Sequence, residues 1–225
     1  MVHNDDSFIR EVNEELRSDQ MKAVWRRFGR IIVALAVLVV VGTAAYRGYE
    51  YWADSRASRS GDQFLAALQL ADQDKLDEAK KALADLEANG SGSYPILSKM
   101  RAASLMAQQG DKKGAIDAFS AIGNDESVPE AIRNAAKLRA GWLLVETGTY
   151  DQVSAEVEVL AVAGNSFRHS ARELLGLAAF KAGDYGKAKE WFDAIENDNE
   201  TPANIANRAK MLLGVIAASG KVAQG

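Results

Sequence analysis

Between residues 68 and 195 one pattern recurs four times. A helical stretch ends in a tight turn, and in the second stretch a small residue is followed four and seven positions on by larger apolar ones. The turn positions Asp74, Gly110, Gly148 and Gly183 are spaced by 36, 38 and 35 residues. The small or slim positions are Ala79, Ala115, Val153 and Ala188. After them come Leu83, Phe119, Val157 and Phe192, and then Leu86, Ile122, Leu160 and Ile195. Glycine at a turn tolerates positive φ and ends the first helix at little cost. A small residue lets two helices approach, and the larger ones fill the seam between them. Ala67, Ala103, Gly141 and Gly176 are placed to do the same on the first helix of each pair. A single helical hairpin cannot bury its apolar stripe alone, so recurrence in near-constant phase predicts stacked hairpins. With only three prolines and alanine-rich runs throughout, the fold class expected is all-α.

This pattern resembles the tetratricopeptide repeat. Leu175, Gly176, Gly183, Tyr185, Ala188 and Phe192 fall on that family's signature positions in the last unit, with Pro202 near its end. The second unit keeps Gly110, Ala115, Phe119 and Pro129 but has Lys112 where the turn aromatic belongs. The third has Gly141, Gly148 and Tyr150 but substitutes Val153 and Val157. The first is degenerate, with Asp74 and Leu76 at its turn. Residues 203–219 read as a terminal helix whose Ile205, Ala209, Leu212 and Ile216 cover the open end of the stack. The run Gly90-Ser91-Gly92-Ser93, followed by Pro95, is a loop between units one and two and lacks the lysine of a phosphate-binding loop.

Upstream lies a different kind of segment. Sixteen uncharged, mostly aliphatic residues, 31–46, sit between Arg30 and Arg47. As a helix they span ~24 Å, slightly less than the ~30 Å hydrocarbon layer of a bilayer. Extension back to Phe28 and snorkelling of Arg27, Arg30 and Arg47 close the gap. Trp25 and Phe28 flank one end, and Tyr46, Tyr49, Tyr51 and Trp52 the other, as in interfacial aromatic belts. A buried core helix rarely carries arginines and aromatics at both ends. A cleaved leader, with Gly42-Thr43-Ala44 as its processing site, would follow an unusually long 30-residue lead. A retained anchor is expected. Lys22, Arg26, Arg27 and Arg30 are undiluted by acids, whereas Arg47, Arg56 and Arg59 are accompanied by Glu50 and Asp54; the positive-inside rule then puts the N-terminus in the cytoplasm.

Signals for chemistry are few. The chain has no cysteine, which excludes thiol catalysis, disulfides and cysteine metal sites. Its two histidines, His3 and His169, lack partners at metal-ligand spacing, so a solvated or cap-region role is expected of them. No nucleophile elbow, phosphate loop or paired-histidine motif occurs. A net charge of −4 does not favour nucleic acid. The expectation is a protein without enzyme activity, metal or cofactor.

Binding is better supported. In tetratricopeptide arrays the first helices of the pairs line a groove. That register places Phe64, Leu68, Met100, Leu138, Trp142, Leu177 and Phe180 toward it, either to hold a client segment or to pack on neighbouring helices. Residues 7–26 read as a further helix with Phe8, Val12 and Leu16 on one face. The resulting organisation is a cytoplasmic amphipathic segment (1–27), a transmembrane helix (28–48), a juxtamembrane linker helix (49–59) and a repeat domain with its terminal helix (60–220). With the motif FIREVNEELRSDQMKAVWRRFGRIIVALAVLVV (8–40), this order resembles the ancillary subunit of the bacterial Sec translocon. That resemblance implies a single-pass inner-membrane protein with a periplasmic repeat domain. Its partners would be translocon subunits, a membrane-anchored periplasmic chaperone of the prolyl-isomerase type, and unfolded client polypeptides. A scaffold for another cell-envelope complex would share the same architecture.

Overall fold

A computed structural model describes the backbone of residues 5–220, and the side chains of Lys22 and of residues 25–220. Among the described residues there are nine α-helices and no strand. The chain divides into two compact units, which meet between Arg56 and Ala57.

The first unit is formed by helix α1 (Asp5–Asp72) as far as Arg56. From Trp25 onward α1 is long and apolar enough to cross a membrane. Its aliphatic side chains are turned outward, with Leu38 68% and Val40 67% exposed. Thr43, within this run, satisfies its hydroxyl internally by donating to the Val39 carbonyl at 2.7 Å. Charges gather at the ends of the apolar run, where aromatic rings meet them. The Arg27 guanidinium lies 5.7 Å from the Phe28 ring, that of Arg56 lies 4.7 Å from Trp52, and Arg47 pairs with Glu50 at 2.8 Å. The backbone at Phe8, Val12 and Leu16 is helical, but their side chains, like His3, lie outside the described residues.

The second unit contains the hairpins. The last turns of α1 pack on α2 (Leu76–Asn89), burying Ala67, Ala79 and Leu83 together with Leu105. The later pairs are α3 (Tyr94–Gln108) with α4 (Lys112–Asn124), α5 (Glu130–Thr147) with α6 (Tyr150–Val157), and α7 (Arg168–Lys181) with α8 (Tyr185–Glu196). Each pair also packs on the next, through α2 with α3, α4 with α5, and both α5 and α6 with α7. Helix α9 (Ala203–Ala218) lies on α8 and α7, with Ile205, Ala209 and Ile216 buried and Leu212 half-buried.

The second-helix residues of the repeat are all in the core. Ala79, Ala115, Val153 and Ala188 are fully inaccessible, and none of the eight larger residues that follow them exceeds 5% exposure. The first-helix glycines show why a small residue is required. A Cβ on Gly141 would lie 2.6 Å from Val157 Cγ1, and one on Gly176 would lie 2.6 Å from the Phe192 ring.

Three of the four turns share one geometry. Asp74, Gly110 and Gly183 adopt φ of 61°, 89° and 80°. The next residue's N–H returns to the carbonyl five back: Lys75 to Leu70, Asp111 to Met106, Asp184 to Ala179. Asp111 and Asp184 then cap the following helix through Gly114 N and Lys187 N. Unit one lacks both luxuries, with a non-glycine residue in the left-handed region and no side-chain cap from Lys75. Gly148 departs from the expected positive φ. It is extended (φ −107°, ψ −168°), and a capping box between Thr149 and Gln152 starts α6 instead. A side chain at Gly148 is unwelcome for another reason, since its Cβ would sit 2.9 Å from Gln152 Oε1 and 3.0 Å from Leu144 Cδ2. Unit three also differs at its end, where α6 gives way to a 3-10 turn over Glu158–Leu160.

Candidate protein-binding groove

Helices α3 and α5, the first helices of units two and three, enclose a groove of about 780 Å³. One wall is a stripe on α3 at positions 97, 101, 104 and 108, whose 4-3-4 spacing keeps it on one helical face; Met100 and Ala107 flank it. The opposite wall is Arg139, Trp142 and Leu143 of α5, and Phe119 of α4 provides a floor that belongs to the unit-two core. Trp142 is 45% exposed, which is unusual for so large an apolar surface held on a well-packed helix. The Ser104 hydroxyl is occupied internally, donating to the Met100 carbonyl at 3.0 Å.

Of the seven residues projected from the repeat register, Met100 and Trp142 share this groove. The other five are placed elsewhere. Phe64 is half-buried against the Ala67–Leu83 cluster, its ring 5.9 Å from that of Tyr94, and Leu68 is half-buried nearby on α1. Leu138, 8% exposed, packs in a cluster with Leu144, Val153, Val157 and Leu174. Leu177 and Phe180 lie half-buried on the cluster of Ala179, Phe192 and Ile205, and Phe180 meets Tyr185 edge-on at 5.3 Å. Leu97, Arg101 and Arg139 also line the groove and were not among the projected residues, which were all apolar and did not include Leu97. The 97–101–104–108 spacing was the available signal.

The polar clusters elsewhere serve the scaffold. Arg168 and Arg172 both donate to Asp198 Oδ2, at 3.0 and 2.9 Å, and Arg172 also reaches the Ala161 and Ala194 carbonyls. Hydrogen bonds from Arg168, the Glu200 backbone N–H and Arg172 hold the Asp198 carboxyl far below the usual carboxylate range. His169 is buried rather than solvated, its Nδ1 2.9 Å from the Thr201 hydroxyl, and burial lowers its pKa. Glu173, also buried, is held by Arg208 of α9, whose Nη2 donates at 2.8 Å. These contacts tie α7 to the segment after α8 and to α9. Among the described residues, no group of three or more His, Asp or Glu side chains is arranged to hold a metal ion.

The chain matches the family described as tetratricopeptide repeat-like domain over residues 22–211. It belongs to that family. The match runs from the start of the described side chains into α9, so the tetratricopeptide repeat-like assignment takes in the apolar part of α1 as well as the hairpins. Such domains are protein–protein interaction modules, typically non-catalytic. No curated protein matches the chain at a significant level.

Proposed function

We propose that this protein is a membrane-tethered polypeptide-binding module associated with the Sec translocon, with its N-terminus in the cytoplasm and its repeats in the periplasm. There it helps transfer translocating chains to periplasmic chaperones, including a membrane-anchored one. The observation that carries the binding role is the half-exposed Trp142 beside Leu97 and Met100 in a groove of about 780 Å³ between two first helices. The exposed aliphatic run of α1 supports the tether, the excess of Lys22, Arg26, Arg27 and Arg30 on its N-terminal side supports the orientation, and the resemblance of residues 8–40 supports the translocon. A tether confines the groove near a channel exit and raises its effective concentration there, so reversible apolar contacts suffice without a catalytic group.

The test is a photocrosslinking side chain at position 142 of the full chain in living cells. Crosslinks to many different emerging polypeptides and to channel subunits are expected. A single stoichiometric partner would instead identify a scaffold of another envelope complex. Orientation is tested separately with protease on sealed spheroplasts, which is expected to remove the repeats and spare the N-terminal segment.

A further inference from the structure

Seven arginines lie in the second unit, and two of them differ from the rest. Arg59, Arg133, Arg168, Arg172 and Arg208 each have a partner. Arg101 and Arg139 make no hydrogen bond or ion pair with any described residue, and both line the α3–α5 groove. The Nε–H of Arg101 is moreover shielded from solvent without an acceptor. A buried donor left unmatched is costly, and a guanidinium is the side chain best shaped to hold a carboxylate by two parallel hydrogen bonds. No carboxylate lines the groove, although the chain carries 31 acidic residues against 27 lysines and arginines. The groove is thus a positive, apolar-walled site on a net-acidic chain.

We propose that the occupant of this groove is an apolar polypeptide segment with an internal acidic side chain, whose carboxylate is bound by Arg101 and Arg139 while its apolar neighbours lie on Trp142, Met100 and Leu97. This rests on the groove being the polypeptide-binding surface. The acid is internal because the apolar wall continues on both sides of Arg101. Leu97 lies one turn before it along α3, and Ala107 lies nearly two turns after. The lining from 97 to 108 covers ~16 Å of helix, about the reach of five extended residues, so a chain that places its carboxylate at Arg101 passes beyond it in both directions.

The experiment uses the full chain in lipid nanodiscs and three fluorescent nine-residue peptides rich in leucine and alanine. The first is blocked at both ends with one central glutamate, the second has glutamine there, and the third carries its only acid as a free C-terminal carboxylate. The glutamate peptide is expected to bind about tenfold tighter than the glutamine one, ~1.4 kcal/mol, and tighter than the third. Arg139→Gln and Arg101→Gln are each expected to cost the glutamate peptide more affinity than the glutamine peptide and so reduce that preference. Because Arg139 is exposed, its replacement keeps the test decisive if the Arg101 variant fails to fold. Trp142→Ala is expected to weaken both blocked peptides. Equal binding of the two blocked peptides, with Trp142→Ala still weakening both, overturns the acid requirement but leaves the groove reading standing. A preference for the third peptide overturns the internal acid. Binding of neither blocked peptide, or binding indifferent to Trp142→Ala, overturns the groove reading itself.

Discussion

Single residues decide how closely these helices approach. Gly176 faces the Phe192 ring with no room for a methyl group, so Gly176→Ala must displace a fully buried aromatic. A loss of about 1–3 kcal/mol is expected from overpacking, read as a lowered urea midpoint. Asp74 is the opposite case. It holds φ 61° where units two and four have glycine, and Asp74→Gly relieves left-handed strain of ~1–2 kcal/mol, offset in part by the greater freedom of unfolded glycine. A small rise in the same midpoint is expected. At this scale the sequence was most legible in the second helices, because a small residue followed by large ones four and seven positions on has few uses outside a helix–helix seam. It was least legible at Gly148. There the residue type matched the family turn, but its cause was the crowding of Gln152 and Leu144, not backbone handedness.

At the scale of elements, the attachment of α7 to α9 and to the loop before it depends on charge. Removing the partner of buried Glu173 by Arg208→Ala leaves an unsatisfied carboxylate, at a cost of about 1–3 kcal/mol. Faster amide exchange confined mainly to α9 is expected. The same region sets a pH response. His169 has a folded pKa below its unfolded value, so the unfolded chain binds the extra proton and stability falls as pH drops from about 6.5. Asp198 has its pKa lowered, so its contribution is present above the ordinary carboxylate range and is lost only at more acid pH, below about 4. A melting temperature that declines from pH 7 to 5 is expected, and His169→Gln should flatten that first decline. The sequence could not reveal this cluster, since His169 meets Thr201 and Asp198 only after α8 has turned the chain back. Leu138 and Trp142 illustrate the same limit. One turn apart on α5, both belong to the projected face, yet Leu138 meets the unit-three core and Trp142 does not.

For the whole molecule, the proposed residence at a membrane rests on the outward aliphatic residues of α1. Arginine at the centre of a spanning helix costs about 2.5–3.5 kcal/mol per residue on insertion scales. Leu38→Arg with Val40→Arg is therefore expected to shift the protein from the carbonate-resistant membrane fraction to the wash, while the intact chain stays behind. The division between an apolar run and patterned hairpins was plain in the sequence, because the two segments follow different rules of composition. The groove was only half visible, since its cations look like any other surface charge until the fold shows them without partners. Its floor has a practical consequence. Phe119 belongs at once to the groove and to the packing of α4 on α3, so a guest that fills the space above it braces the same contacts that resist heat. Ligands can therefore be found by thermal-shift screening, where one present at a hundred times its dissociation constant adds ~2.7 kcal/mol to the folded state.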